Sequence, residues 1–384
     1  MNRLTRRACL QRLTLAVSSS VLAPAMAETT GLAAVEMEAI AGIATETMAQ
    51  GGIPGLSIAF AHSGNLVHSA GFGFADKAAG EKVTPAHRFR IASVSKPITS
   101  TAIWSLIEEG KLKLEDKVFG AGGVLPAYQV SSAQTGVADI TIQHLLTHTC
   151  GGWGNKGRDP MFMHPEMSHE ELIAWTLREL PLQNAPGKVY AYSNFGYCVL
   201  GRVLETVTGA TYAEFVQQRI LSKCGITAMS LAGNGLAERQ SGEVVYYGQR
   251  DEDPYRPTMN VRRMDSHGGW LATPGDLVRF LTHVDGFATT PDLLGADALK
   301  GMTTGSSANP GYACGWSVNG QPNWWHNGSL PGTSTIVVRT ASGMCWAAFA
   351  NSRFKEAEAP GKNTGAMLDR MMWRMARAVP AWRA

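Results

Sequence analysis

Apolar side chains recur at Leu32, Val35, Ala39, Ile40 and Ile43 and the spacing continues to Thr47, which predicts an amphipathic helix ending at Gly51-Gly52. Two apolar runs follow, over 56–61 and 66–72, separated by His62-Ser63-Gly64-Asn65; together they predict two strands joined by a turn. Near the other end, 312–318, 335–340 and 344–350 predict three more strands, the last two linked by a tight Ala341-Ser342-Gly343 turn. A helix over about 364–378 closes the pattern.

Between these blocks the period changes. Residues 93–110 put Ile98, Ala102, Ile103, Leu106 and Ile107 on one helical face. Ser168-His169-Glu170-Glu171 and Thr211-Tyr212-Ala213-Glu214 are capping boxes that open helices, and Thr273-Pro274 sets a cap and a proline at the start of another. Strand signals are sparse from 98 to 305. The economical arrangement is an α+β fold, an α/β sandwich. One antiparallel sheet is built from 30–92 and 305–384, with the N- and C-terminal helices on one face. A mostly helical lobe, about 97–304, is inserted between its halves.

Composition changes this picture chiefly at the N-terminus. The chain has 384 residues, 45% hydrophobic and 17% charged, the make-up of a globular protein large enough for one big domain or two lobes. Arg3, Arg6, Arg7 and Arg12, with no acidic residue, precede a modestly apolar stretch over 13–22, and Ala25-Met26-Ala27 has the small residues of a cleavage site. Residues 1–27 therefore read as a signal peptide and 28–384 as the mature domain, exported to a periplasm or secreted. Arg6-Arg7 ahead of Ala8-Cys9-Leu10 is similar to a twin-arginine signal. The apolar stretch is too short, and too interrupted by Ser18-Ser19-Ser20 and Pro24, to span a bilayer.

Removing those four arginines takes the net charge from +3 to −1. The basicity belongs to targeting, no later Lys/Arg cluster appears, and a nucleic-acid partner is not indicated. Cys150, Cys198, Cys224, Cys314 and Cys345 remain after Cys9 leaves, an odd set without C-x-x-C spacing. They read as buried free thiols.

Three short segments carry candidate chemistry. Ser93 and Lys96 stand three apart at a helix start, one turn from each other on one face. A serine hydroxyl needs an adjacent base to become a nucleophile, and a lysine there can supply it. Alone the pair reads more readily as an N-cap serine with a solvated lysine. Tyr192-Ser193-Asn194 precedes a helix through Gly196, Leu200 and Val203; Tyr192 can relay a proton and Asn194 can hold an amide or the lysine. The bland alternative is a packed Tyr and a capping Asn. His326-Asn327-Gly328 opens the strand-like stretch leading to Thr335, with a hydrogen-bonding side chain and a glycine that allows close approach. A lone histidine there is more often structural.

Taken together, several blocks resemble the class C β-lactamase-like branch of the serine β-lactamase and penicillin-binding-protein superfamily. They are Phe89-Arg90-Ile91-Ala92-Ser93-Val94-Ser95-Lys96-Pro97, His144-Leu145-Leu146-Thr147-His148-Thr149, Tyr192-Ser193-Asn194-Phe195-Gly196-Tyr197, Gly268-Gly269-Trp270-Leu271-Ala272-Thr273 and His326-Asn327-Gly328. The resemblance runs from Ile53-Pro54-Gly55 to the terminal helix. It implies two-step acyl transfer to water, without cofactor or metal. Ser93 would attack a carbonyl, Lys96 and Tyr192 would share the proton transfers, and Tyr192 would protonate the leaving group. Asn194 would orient Lys96 and a substrate amide. The N–H groups of Ser93 and Ser329 would hold the oxyanion, and His326 and Gly328 would edge the substrate slot.

One departure bears on substrate. Class C β-lactamases carry Lys-Thr-Gly where this chain has His-Asn-Gly, and His-x-Gly is more similar to D,D-peptidases, D-amino-acid peptidases and esterases of the branch. An imidazole that titrates near neutrality grips a carboxylate more weakly than an ammonium does. The expected partner is thus a peptide, amide or ester, cell-wall-derived peptides included, with β-lactam hydrolysis the alternative. The pocket walls are expected from 152–164 and 246–264. Two other hydrolase chemistries fit less well. His144 and His148 have helical ligand spacing but no H-E-x-x-H or third ligand, and there is no G-x-S-x-G for an α/β-hydrolase. A non-catalytic binding or regulatory protein on the same fold is the remaining reading, and Ser93, Lys96 and Tyr192 argue against it.

Overall fold

The computed structural model describes residues 27–29, 31–130, 134–156, 159–249, 251–353 and 363–382. Apart from Ala27, the expected signal peptide lies outside them.

The chain begins with β1 (Ala27–Thr29) and α1 (Ala34–Gly51). α1 stops at Gly52, whose φ of 57° is the left-handed cap that a glycine adopts without a steric cost. β2 (Gly55–His62) and β3 (Asn65–Asp76) form the expected hairpin, and β4 (Glu81–Lys82) adds to β3. The inserted region follows: β5 (Phe89–Arg90), α2 (Ser95–Glu108), α3 (Ile142–Leu146), α4 (His169–Glu179), α5 (Asn194–Thr208) and α6 (Tyr212–Val216). It continues with β6 (Ser230–Leu231), β7 (Trp270–Ala272), α7 (Pro274–Thr282) and α8 (Ala296–Thr303). The chain then returns through β8 (Ser317–Val318), β9 (Trp324–Leu330), β10 (Thr333–Arg339), β11 (Met344–Ala350) and α9 (Thr364–Ala378).

The main sheet runs β1-β3-β2-β11-β10-β9-β8, antiparallel throughout, and the β2–β11 pairing closes the two ends of the chain on each other. Alternation decides its two cores. Ile58, Phe60, Trp346 and Ala348 point to one face, where α1 and α9 cover them with Ile40, Ala44, Leu368, Met371, Met372 and Met375. Ala59, Ala61, Ala347 and Phe349 point to the other, against Leu277, Val278, Phe280 and Leu281 of α7 and the larger core of the inserted region. Because both faces are covered, β10 and β11 are buried at every position.

Two details differ from the sequence reading. α7 was grouped with the inserted lobe, yet its apolar stripe packs directly on β2 and β11. In 312–318 only Ser317–Val318 forms a strand, while β9 is a full strand with His326-Asn327-Gly328 at its centre. Its buried positions are Trp324, His326, Gly328 and Leu330, so the usual aliphatic alternation is missing and the strand is hard to read.

Candidate active site

The turn that carries Ser93 is held from below. Arg90, at the end of β5, is buried and donates to the carbonyls of Gly233, Asn234 and Pro254. Thr333 and Thr335 of β10 donate their hydroxyls to the carbonyls of Arg90 and Ile91 at 3.0 and 2.8 Å. Ala92 then takes a φ of +49°, a strained conformation for a residue with a Cβ, and Ser93 sits in the single tight turn Ala92–Val94 that opens α2. β9 passes so close that a Cβ on Gly328 would lie 2.2 Å from both the Ile91 carbonyl and the Thr335 hydroxyl. Only glycine fits there.

Lys96 lies one turn on, fully buried beneath Ser93. Its ammonium donates to Ser93 Oγ at 3.2 Å, Asn194 Oδ1 at 2.7 Å and the His267 carbonyl at 3.0 Å. Burial pushes its pKa down from 10.5 to about 7, with the Asp159 carboxylate opposing the fall. The partner set fixes what the neutral amine can do. Asn194 Oδ1 and a carbonyl only accept, so both remaining N–H groups stay on them and the lone pair faces Ser93 Oγ. Deprotonated Lys96 is a base aimed at the serine hydroxyl.

Asn194 is the first residue of α5, whose N-cap Ser193 accepts from the Gly196 N–H. Its amide orientation is settled on the far side, where Nδ2 donates to Asn155 Oδ1 at 2.8 Å and Asp159 Oδ2 at 2.9 Å. Asp159 is buried, and desolvation raises its pKa. Tyr192 precedes the cap. Its hydroxyl lies beside the Ser93 side chain, Lys96 Nζ lies 4.8 Å from its ring centre, and burial raises its pKa far above 10. Tyr192 is held as a phenol, suited to donate a proton.

A second network runs along the other side. His148 Nδ1 accepts the Ser193 backbone N–H at 3.1 Å, so its proton must sit on Nε2, which faces the Tyr312 hydroxyl at 3.1 Å. Tyr312 then donates to His326 Nε2 at 3.0 Å, leaving His326 Nδ1–H to donate to the Asn327 carbonyl at 2.8 Å. Backbone groups pin both ends, so every proton in the chain is assigned. Burial keeps both imidazoles neutral: His326 is pushed down to about 3, first by desolvation and then by Lys96, and His148 also falls well below its usual value. The His148 ring lies 4.2 Å from that of Tyr192 and braces it. The sequence reading treated His326 as titrating near neutrality at the slot edge; here both ring nitrogens are engaged within the protein.

The seven residues singled out from sequence thus meet around one turn. Ser93, Lys96 and Asn194 form one hydrogen-bonded group with Tyr192 beside it, Gly328 packs on the Ser93 turn, and Ser329 follows it with its side chain exposed and accepting from Arg353 at 3.2 Å. His326 enters through the second network. Sequence reasoning missed Asp159, Asn155, Tyr312 and the role of His148. Asp159-Pro160 reads as a cap and helix start, which it also is, since Asp159 accepts from the Met161 N–H. His144 and His148 do not converge: His144 Nδ1 accepts from the Thr141 N–H instead. Among the described residues no group of three His, Cys, Asp or Glu side chains could hold a metal ion. The five cysteines Cys150, Cys198, Cys224, Cys314 and Cys345 are buried free thiols.

A cavity of 690 Å³ opens beside Tyr192, lined by 153–156, 180–184 and 189–192. It draws on the first stretch expected to form the pocket wall and takes nothing from 246–264; the 180–192 wall was not anticipated.

An antiparallel sheet with a helical insert, and a serine and a buried lysine at their junction, are the arrangement found in serine hydrolases of the β-lactamase and penicillin-binding class. The chain belongs to the beta-lactamase family, whose model matches residues 40–369. It is 26% identical over 339 residues to penicillin-binding protein 4 of Amycolatopsis lactamdurans, covering 79% of this chain and 84% of that protein. It is 26% identical over 302 residues to penicillin-binding protein 4* of Bacillus subtilis strain 168, covering 73% of this chain but 64% of that longer relative. Among solved structures, D-amino acid amidase from Ochrobactrum anthropi SV3, complexed with L-phenylalanine amide, superposes with a TM-score of 0.72 at 22% identity, over 91% of this chain and 99% of the amidase.

Proposed function

We propose that Ser93 is the nucleophile of an exported hydrolase that cleaves amides or esters through an acyl-enzyme. The supporting observation is the lysine geometry, in which two pure acceptors leave the neutral amine only Ser93 as a proton source. In the first half-reaction Lys96 takes the Ser93 proton while Oγ bonds to the substrate carbonyl carbon. The resulting oxyanion is held by the Ser93 and Ser329 N–H groups. The C–N or C–O bond then breaks as Tyr192 gives its proton to the departing atom, and the Lys96 ammonium restores it. Water repeats the sequence on the acyl-enzyme, releasing the acid and returning the proton to Ser93. Export rests on the arginine-led segment over 1–27, and N-terminal sequencing of secreted protein tests it.

Substrate preference follows from the third motif. A neutral His326 brings no charge to a carboxylate, which favours peptides, amides or esters over β-lactams. The amide chemistry named for the Ochrobactrum enzyme points the same way. Intact mass after brief exposure to a penicillin and to a fluorophosphonate tests both levels, with Ser93→Ala as control. The phosphonate should add one mass increment that the variant lacks. A persistent penicillin adduct marks slow deacylation, as in a D,D-peptidase; drug consumed without an adduct marks a β-lactamase and overturns the preference. Labelling that survives in Ser93→Ala overturns the nucleophile.

A further inference from the structure

The cavity beside Tyr192 has properties that the acyl-transfer scheme does not use. Its 690 Å³ lies within the range of about 300–1,000 Å³ typical of small-molecule pockets. Trp153, Leu180, Leu182, Val189 and Tyr190 give it apolar walls. Its charged lining residue, Lys156, is exposed at the lip.

The walls are tied to the reacting group. Tyr192 and Asn155 line the cavity and also belong to the Ser93 network. The Asn155 N–H donates to the Tyr192 carbonyl at 2.7 Å, and a Cβ on Gly154 would stand 3.1 Å from that of Ala191. Trp153 is fixed by two contacts. Its indole N–H donates to the Leu180 carbonyl at 2.9 Å, and its ring meets Phe195 edge-on at 5.1 Å. Its φ of +56° is a conformation that a bulky residue holds only when its surroundings impose it, and such strain gathers at ligand sites. Val189 leaves 43% of its surface exposed at the rim. A rigid apolar hollow sharing a wall with the proton donor is placed to hold part of the substrate.

We propose that this cavity is a specificity pocket for a bulky apolar group, aromatic by preference, carried by the amide or ester substrate next to its scissile bond. The inference rests on Ser93 being the acylated residue. Seating a ring among Trp153, Leu182 and Val189 removes apolar surface from water on both sides. It also holds the carbonyl against Ser93, so the gain appears in kcat/KM.

The test compares p-nitrophenyl esters of acetic and 3-phenylpropanoic acid, and methyl with benzyl esters of one acid, on the wild type and Val189→Glu. The expected result is a preference of about tenfold or more for the ring-bearing member of at least one pair, falling at least fivefold in the variant with melting temperature held. Equal turnover in both pairs, or a variant that slows both members of each pair alike, overturns the pocket. Fluorophosphonate labelling of Ser93 separates the two levels. Labelled enzyme without ring preference removes the pocket alone, and enzyme that neither labels nor turns over any ester removes the Ser93 reading with it.

Discussion

Two polar networks flank Ser93, and they are built on opposite plans. The Lys96–Asn194–Asp159 side holds a buried amine whose pKa is set near 7, with a carboxylate behind a fixed amide. The His148–Tyr312–His326 side has three titratable rings, but burial keeps its imidazoles neutral and backbone groups at both ends fix their protons. Proton transfer needs a group that changes charge at working pH; a wall needs one that does not. Placing charge on one side alone lets Lys96 titrate without a cationic neighbour opposing its protonation.

Breaking the charged side should have the larger effect. Lys96→Ala removes the proposed base and should lower acylation by about 10²- to 10⁴-fold while the fold persists, measured as kcat/KM on an activated ester beside a melting curve. Gly328→Ala comes next. Its Cβ must displace the Ile91 carbonyl or Thr335, and an ångström of movement at the nucleophile costs about 100-fold. Asp159→Asn keeps an acceptor for Asn194 but removes the charge that supports the Lys96 ammonium, so the midpoint of the activity–pH curve should move to lower pH. A midpoint that moves up would contradict the assigned direction.

The neutral side should respond mainly in stability. Tyr312→Phe leaves His148 Nε2–H and His326 Nε2 buried without partners, a cost of about 1–3 kcal/mol for each orphaned group. Its melting temperature should drop, while kcat should fall much less than in Lys96→Ala and the pH midpoint should stay in place. A shifted midpoint would show that the two networks are coupled.

How much of this was legible depends on range. Ser93 and Lys96 are one helical turn apart, and Tyr192 and Asn194 flank a cap, so local spacing finds them. Asp159 reaches Asn194 across 35 residues from a loop, and its capping role gives it a sufficient bland explanation. Tyr312 reads as a strand aromatic, and nothing local says that it bridges two histidines. The sheet was read from apolar runs that fall on β2, β3, β10 and β11. β9 escaped because it fills its buried positions with Trp, His and Gly as well as Leu. α7 shows the same limit, since an amphipathic stripe tells that a helix packs but not on what.

The most direct test of the account is the rate at which a fluorophosphonate labels Ser93 as pH is raised from 5 to 9. The rate should climb with a midpoint near 7, where Lys96 loses its proton, and Lys96→Ala should label slowly without that step. A wild-type rate that is flat through neutrality, or a step retained in Lys96→Ala, would contradict the claim that this lysine is the base.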